Sequence, residues 1–237
     1  MDESGWTASA AAWIASQGEA GDWGREHVLD PPMLARVGAA NPRTALDVGC
    51  GEGRFCRLLR GGGIATVGID PTVPLLESAR ERDPEGDYRE ARGESLPFGD
   101  GAFDLVIGYL TLIDIPDFRA AIREMARVAA PGGRILVANL NGFATAGDGW
   151  LRGEDGERLK WPIDRYLEER VLVSEWEDIR IVNYHRPLSA YMKAFLGEGL
   201  GLSYFDEPPP LSGEREKRAR ARRVPWFVLM EWRKPEP

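Results

Sequence analysis

The segment Asp47-Val48-Gly49-Cys50-Gly51-Glu52-Gly53 constrains this chain more than any other. It follows the apolar run Ala45-Leu46-Asp47-Val48 and opens a helical pattern from Glu52 to Arg60, which Gly61-Gly62-Gly63 stops. Glycines at a strand-to-helix junction let the backbone turn tightly and approach a ligand with no Cβ in the way. Free N–H groups at a helix start favour an anionic group. A second strand, Ala65 to Asp70, ends in a carboxylate about 20 residues on, where it can accept two hydrogen bonds from ribose hydroxyls. The implied ligand has a nucleoside and an anionic end. A dinucleotide site would require Gly-x-Gly-x-x-Gly, with glycine where Arg54 stands; the pattern here is Gly-x-Gly-x-Gly.

The rest of the chain reads as four regions. Residues 1–40, rich in Ala and Trp, form a helical N-terminal cap, with Asp30-Pro31-Pro32 as a helix start in which Asp30 caps and proline fills the first turn. Residues 43–139 alternate strands with helices, which implies crossovers and a parallel sheet. Thr72 is expected to cap a helix through Leu75, Leu76 and Ala79; Phe103 to Ile107 is another strand. Ile122, Met125, Ala126 and Ala129 mark one face of a helix that Pro131-Gly132-Gly133 ends, before the strand Ile135 to Ala138. Residues 140–187 break this rhythm, with β-like runs at 171–173 and 179–182, and read as a lid insertion too short for its own core. Residues 188–237 return to the sheet, with a helix over 189–196, a strand over 202–205 and a closing strand over 226–232.

The motif around Gly49, preceded by Leu46-Asp47-Val48, resembles motif I of the class I S-adenosylmethionine-dependent methyltransferases (the methyltransferase domain 11-like branch). Glu94-Ser95-Leu96-Pro97-Phe98 looks like that family's loop after the third strand, Phe103 to Ile107 like its fourth strand, and Pro131-Gly132-Gly133 before a strand is a further hallmark. Val224 to Met230 looks like its antiparallel last strand. The resemblance implies an α/β, Rossmann-like three-layer sandwich: one methyltransferase domain over 1–237, with a seven-stranded mixed sheet. It implies S-adenosyl-L-methionine as cofactor, held by Asp47, Gly49, Cys50, Gly51, Gly53, Asp70, Pro71, Gly93, Glu94, Ser95, Leu96 and Tyr109. One departure stands out. Many relatives carry Gly-Asp-Ala-Glu before Leu-Pro-Phe, and its Asp reaches the adenine amine. Here Ala91-Arg92-Gly93-Glu94 puts an arginine there, which cannot accept that hydrogen bond.

The resemblance also places the methyl acceptor opposite the glycine loop, near the end of the fourth strand, under the cap and the lid. Six of the eight tryptophans lie in those two regions (Trp6, Trp13, Trp23, Trp150, Trp161, Trp176), which suits an aromatic or apolar small molecule. Trp13, Tyr109, Tyr184 and Arg186 are the candidate substrate contacts; Arg186 suits a substrate carboxylate, with a structural pairing the favoured alternative. The chain has two histidines. His185 is the candidate general base and His27 a weaker one, since imidazole takes a proton near neutral pH. Cys50 reads as a small loop residue, and two cysteines make neither a disulfide framework nor a four-ligand zinc site.

Composition narrows the partners. The net charge of −8 argues against nucleic acid. The basic run Glu214 to Arg223 contains acids and reads as a solvated edge. No stretch reaches the roughly 18 apolar residues that would span a bilayer, and the acidic start Met1-Asp2-Glu3 is unlike a secretory leader. A cytoplasmic enzyme acting on a small molecule is therefore expected. Its rivals are a nucleic-acid methyltransferase using the basic run and a non-catalytic S-adenosylmethionine-binding protein.

Overall fold

A computed structural model describes residues 4–236. Met1, Asp2 and Glu3, on which part of the leader reading rests, lie outside the described residues. The chain begins with α1 (Trp6–Gln17), then a π-helical turn (Arg25–Leu29) that runs straight into α2 (Asp30–Ala40). Pro31 and Pro32 lack the N–H groups that would close an ordinary turn. The wider turn bonds the Asp30 amide to the Arg25 carbonyl five residues back. Asp30 is therefore no cap; its carboxylate turns to Arg54 and Tyr109 instead.

The core follows as β1 (Thr44–Val48), α3 (Arg54–Gly61), β2 (Ala65–Asp70), α4 (Val73–Arg82), β3 (Asp87–Glu90), β4 (Phe103–Tyr109), α5 (Phe118–Val128) and β5 (Ala129–Leu140). Four consecutive buried residues in β1 mark a strand covered on both faces. In α5 the apolar stripe Ile122, Met125 and Ala126 is buried, and Asp117 caps the helix by accepting the Ala120 amide at 3.0 Å. Thr72 makes no such cap for α4; its amide donates to Asp70 Oδ1 at 2.8 Å.

The insertion holds α6 (Gly142–Thr145), a small hairpin of β6 (Leu151–Arg152) and β7 (Arg158–Lys160), and a longer hairpin of β8 (Arg170–Trp176) and β9 (Ile179–His185). The chain closes with α7 (Leu188–Gly197), β10 (Gly201–Asp206), α8 (Arg215–Ala221) and β11 (Phe227–Arg233). The basic run is thus mostly a short helix, with no buried residue.

One seven-stranded sheet has the order β10-β11-β5-β4-β1-β2-β3. β11 runs antiparallel to both neighbours, while β1 to β5 pair in parallel. Trp232 of β11 is fully buried and stacks on Phe195 of α7 at 4.8 Å, sealing one face. On the other face Glu231 receives Arg36 of α2 at 2.9 Å and Arg134 at 3.0 Å, which ties the cap to the sheet. Cap and lid also clasp each other. The Val182 amide donates to the Ser4 carbonyl at 2.8 Å, and Ser9 Oγ bonds both the amide and the carbonyl of Arg180. Among the described residues no helix is long and apolar enough to cross a membrane.

Candidate active site

The strand order switches sides at β1, which lies parallel between β2 and β4. The crevice beyond the carboxyl ends of strands at such a switch point is where open α/β sheets take their ligands. A cavity of about 660 Å³ lies there, roofed by α1, the π-helical turn and the β8–β9 hairpin.

The glycine loop forms its floor. Gly49, Gly51 and Gly53 have φ of 74°, 56° and 77°, a region that disfavours side chains. A Cβ on Gly49 would also lie 2.0 Å from Thr111 Oγ1. The Gly49 and Cys50 amides both donate to the Ile69 carbonyl, at 2.8 and 2.9 Å, and the Gly51 amide donates to Asp70 Oδ2 at 2.9 Å. These three N–H groups, expected to be free for an anion, instead stitch the loop to the end of β2. Gly53 starts α3 outside the cavity, packed so closely that a Cβ would sit 2.7 Å from the Tyr88 ring. Cys50 lines the cavity, but burial pushes its thiol up to about 11, so it stays neutral and unreactive near pH 7.

Two buried carboxyls face this floor. Asp70 already accepts two backbone amides and is bonded by the Thr72 side chain; with about four lone-pair sites on a carboxylate, it keeps capacity for a ribose hydroxyl. Burial raises its pKa, against the pull of the Thr72 and Gly51 bonds. Asp47 is pushed up to about 7, chiefly by burial and further by the Asp70 charge, with Cys56 and Arg54 opposing. Its Oδ1 is buried with no hydrogen-bond partner among the described residues. An orphaned carboxyl oxygen in a ligand cavity fits a cationic group such as an amino acid's ammonium. Pro71, Gly93, Glu94 and Tyr109 line the same cavity, as does Arg92, which leans on Glu94 at 3.4 Å. Ser95 and Leu96 do not: Ser95 is exposed, and Leu96 is in the core, with its amide bonded to Glu124.

At the other end stand Trp6, Trp13, Tyr109 and Tyr184. Trp6 and Trp13 meet edge to face at 5.1 Å, and the Arg25 guanidinium lies 5.0 Å from the Trp13 ring and 5.7 Å from that of Tyr109. The Tyr109 hydroxyl donates to Asp30 at 2.7 Å, and Asp30 also holds Arg54 through both oxygens. Of the six tryptophans in the cap and lid, only Trp6 and Trp13 reach the cavity. Trp150 and Trp161 pack with each other, and Trp161 with Trp226, away from it.

Two expectations are corrected. His185 is fully buried and does not line the cavity. Its Nδ1 meets Thr145 Oγ1 at 2.7 Å and its Nε2 meets the Tyr166 carbonyl at 2.9 Å. With both nitrogens engaged inside the lid, it has no free position to take a substrate proton. Arg186 is buried as well, and donates to the carbonyls of Leu112 (2.6 Å), Ile115 (2.6 Å) and Pro116 (3.0 Å). It braces the loop after β4 rather than a substrate carboxylate. His27 is also outside the cavity, bonded to Ser212 at 2.9 Å.

Sequence reasoning passed over Asp114, which lines the cavity from that braced loop. Burial pushes its carboxyl up to about 8; the Asn183 hydrogen bond opposes this and the Asp70 charge adds to it. The available signal was an acid set between Ile113 and Ile115 just past the fourth strand.

Residues 46–137 match the family model for the methyltransferase domain. A crystal structure of an S-adenosylmethionine-dependent methyltransferase from Mesorhizobium loti is 26% identical, with a TM-score of 0.74 over 86% of this chain and 96% of that one. The fold is shared with S-adenosylmethionine-dependent methyltransferases, and the methyltransferase-domain match lies in its cofactor half. A provisionally assigned methyltransferase of the same kind from Listeria monocytogenes superposes with a TM-score of 0.77 at 24% identity, over 87% of this chain and 98% of that one. Among curated proteins, the malonyl-[acyl-carrier protein] O-methyltransferase of Serratia marcescens is 34% identical over 128 residues, 53% of this chain and 50% of its own length. The chain spans about half the length of the curated relatives it matches. S-adenosylmethionine is the cofactor named for these structural relatives, and the orphaned Asp47 oxygen, the remaining acceptor capacity of Asp70 and the Cβ-free glycine floor fit its ammonium, its ribose and its close approach to the loop.

Proposed function

We propose that this protein transfers the methyl group of S-adenosylmethionine to a small acceptor with an aromatic or apolar body. The observation that carries this reading is a single cavity. It joins the glycine loop and Asp70 to a wall of Trp6, Trp13, Tyr184, Val171 and Val182. In this reading Asp70 holds the ribose, Asp47 the ammonium, and Gly93 and Glu94 border the adenine. Tyr109 stands between the cofactor half and the acceptor half. The bound cofactor supplies an electrophilic methyl; the protein supplies alignment and a dry site. Alignment alone accounts for up to about 7–11 kcal/mol of barrier in well-oriented reactions.

The test is direct. Calorimetric titration with S-adenosylmethionine should give saturable binding. Incubation of a cell extract with the protein and methyl-labelled cofactor should then label a small molecule identifiable by mass. Absence of binding sinks the reading; binding with label only in RNA or protein redirects it to another acceptor class.

A further inference from the structure

The loop Leu110–Pro116 is held from the lid side with unusual completeness. Arg186 bonds three of its carbonyls, and the Tyr184 amide donates to a fourth, Ile113, at 2.8 Å. Inside the loop the Asp114 amide donates to the Thr111 carbonyl at 2.9 Å. Leu110 enters it at φ 56°, strained for a branched side chain, and such strain persists only where surrounding contacts enforce it. The side chain of Asp114 is fixed as well. Ser174 Oγ donates to Asn183 Oδ1 at 2.6 Å, which turns the Asn183 amide so that its Nδ2 donates to Asp114 Oδ1. Asp114 Oδ2 takes no hydrogen bond from the described residues. A carboxyl oriented through one oxygen, with the other unengaged in a ligand cavity, is arranged like a general base.

We propose that Asp114 receives the proton of the methyl acceptor, with Asn183 as its positioning residue, and that the acceptor therefore bears an O–H or N–H protonated near neutral pH. This rests on the methyl-transfer reading above. In the step, a lone pair on the acceptor's oxygen or nitrogen forms the bond to the methyl carbon. The carbon–sulfur bond breaks with its electron pair going to sulfur, and the acceptor's proton passes to Asp114 Oδ2. A carboxylate or thiolate acceptor has no proton to give and would leave Asp114 without a task.

The charges around Asp114 make the loaded state the active one. Asp70 opposes its ionisation, Arg25 and Arg186 favour it, and burial raises the pKa of the neighbouring Tyr191 of α7. Burial keeps much of the free protein's Asp114 protonated at pH 7. A cation brought into the same cavity favours the carboxylate. Loading the positively charged donor thus prepares the base, whereas the neutral product S-adenosylhomocysteine does not.

The experiment compares the wild type with Asp114→Asn and Asn183→Ala. Calorimetry at pH 7.0, in buffers of different ionisation enthalpy, counts protons released on binding S-adenosylmethionine and S-adenosylhomocysteine. The wild type should release several tenths of a proton more with the former; Asp114→Asn should show no difference, while binding the cofactor within threefold of wild type. With the acceptor found by labelling, Asp114→Asn should lose about 10²–10⁴-fold in kcat. Asn183→Ala should lose about tenfold and show a displaced pH profile. Equal proton counts in wild type and Asp114→Asn, or undiminished transfer by Asp114→Asn between pH 6 and 9, would overturn the proposal and leave the methyltransferase reading standing. Failure of the wild type to bind the cofactor would overturn that reading instead.

Discussion

Single residues carry the cofactor half of the site, and they differ in how far the sequence reveals them. The place of Asp70 at the cavity was legible because it depends on a strand end and a spacing from the glycine loop, both local in sequence. In the structure it also anchors the loop itself, through the Gly51 and Thr72 amides. Asp70→Ala should therefore cost twice. Affinity for S-adenosylmethionine should fall by at least tenfold in calorimetry, and the melting temperature should drop because two amides lose their acceptor, about 1–3 kcal/mol each if left unpaired. Unchanged affinity would remove the ribose assignment. Arg186 stayed open in the sequence because its chemistry permits two uses, a ligand carboxylate or a structural pairing. Only the fold shows three carbonyls converging on it. Arg186→Met should destabilise the protein by about 2–4 kcal/mol through those unpaired carbonyls. Hydrogen exchange should quicken in residues 110–116; a variant as stable as the wild type would contradict the bracing role.

At the level of elements, the alternation of strands and helices over 43–139 was readable from period and punctuation, and so was the pair of β-runs that became the β8–β9 hairpin. What could not be read was which element touches which. The clasp between α1 and β9 joins residues about 170 positions apart, and neither end carries a motif. The lid's interior has its own pH signature. His185 is held neutral by burial and the Arg170 charge, against the Tyr166 hydrogen bond, so its pKa lies below the ordinary value near 6.5. Unfolded chains bind a proton at that histidine as pH falls through about 6.5, and the folded chain does so only lower, so its contribution to stability is full above 6.5 and lost on acidification. The raised carboxyls of Asp47 and Asp114 pull the wild-type trend the opposite way over the same range, so the His185 contribution is read as a difference. His185→Gln should be less stable than wild type at pH 7.5 by about 1–3 kcal/mol, and the gap should narrow toward pH 5.5. Parallel melting curves for the two proteins across that range would refute the account.

For the whole molecule, a seven-stranded mixed sheet with an antiparallel last strand was implied by the resemblance of a few loops, and the structure gives it the order β10-β11-β5-β4-β1-β2-β3. The location of the site follows from that order alone. Its acceptor specificity does not, because the wall is assembled from α1, the π-helical turn and the hairpin, which lie outside the matched segment. A ligand that binds only the folded state stabilises it by about 2.7 kcal/mol at a hundred times its Kd. In a chain of this size that is roughly 5–10 °C in melting temperature. S-adenosylmethionine and S-adenosylhomocysteine should both produce such a shift, and a flat response to both would place the cofactor elsewhere or nowhere.

The bracing of loop 110–116 by Arg186 has a consequence for biosynthesis. The guanidinium that sets the loop lies 74 residues downstream of Leu112. At about 5–20 residues per second, the ribosome delivers it on the order of ten seconds after the loop has emerged. A nascent chain that stalls before that point holds the glycine loop and Asp70 yet cannot bring loop 110–116 to rest.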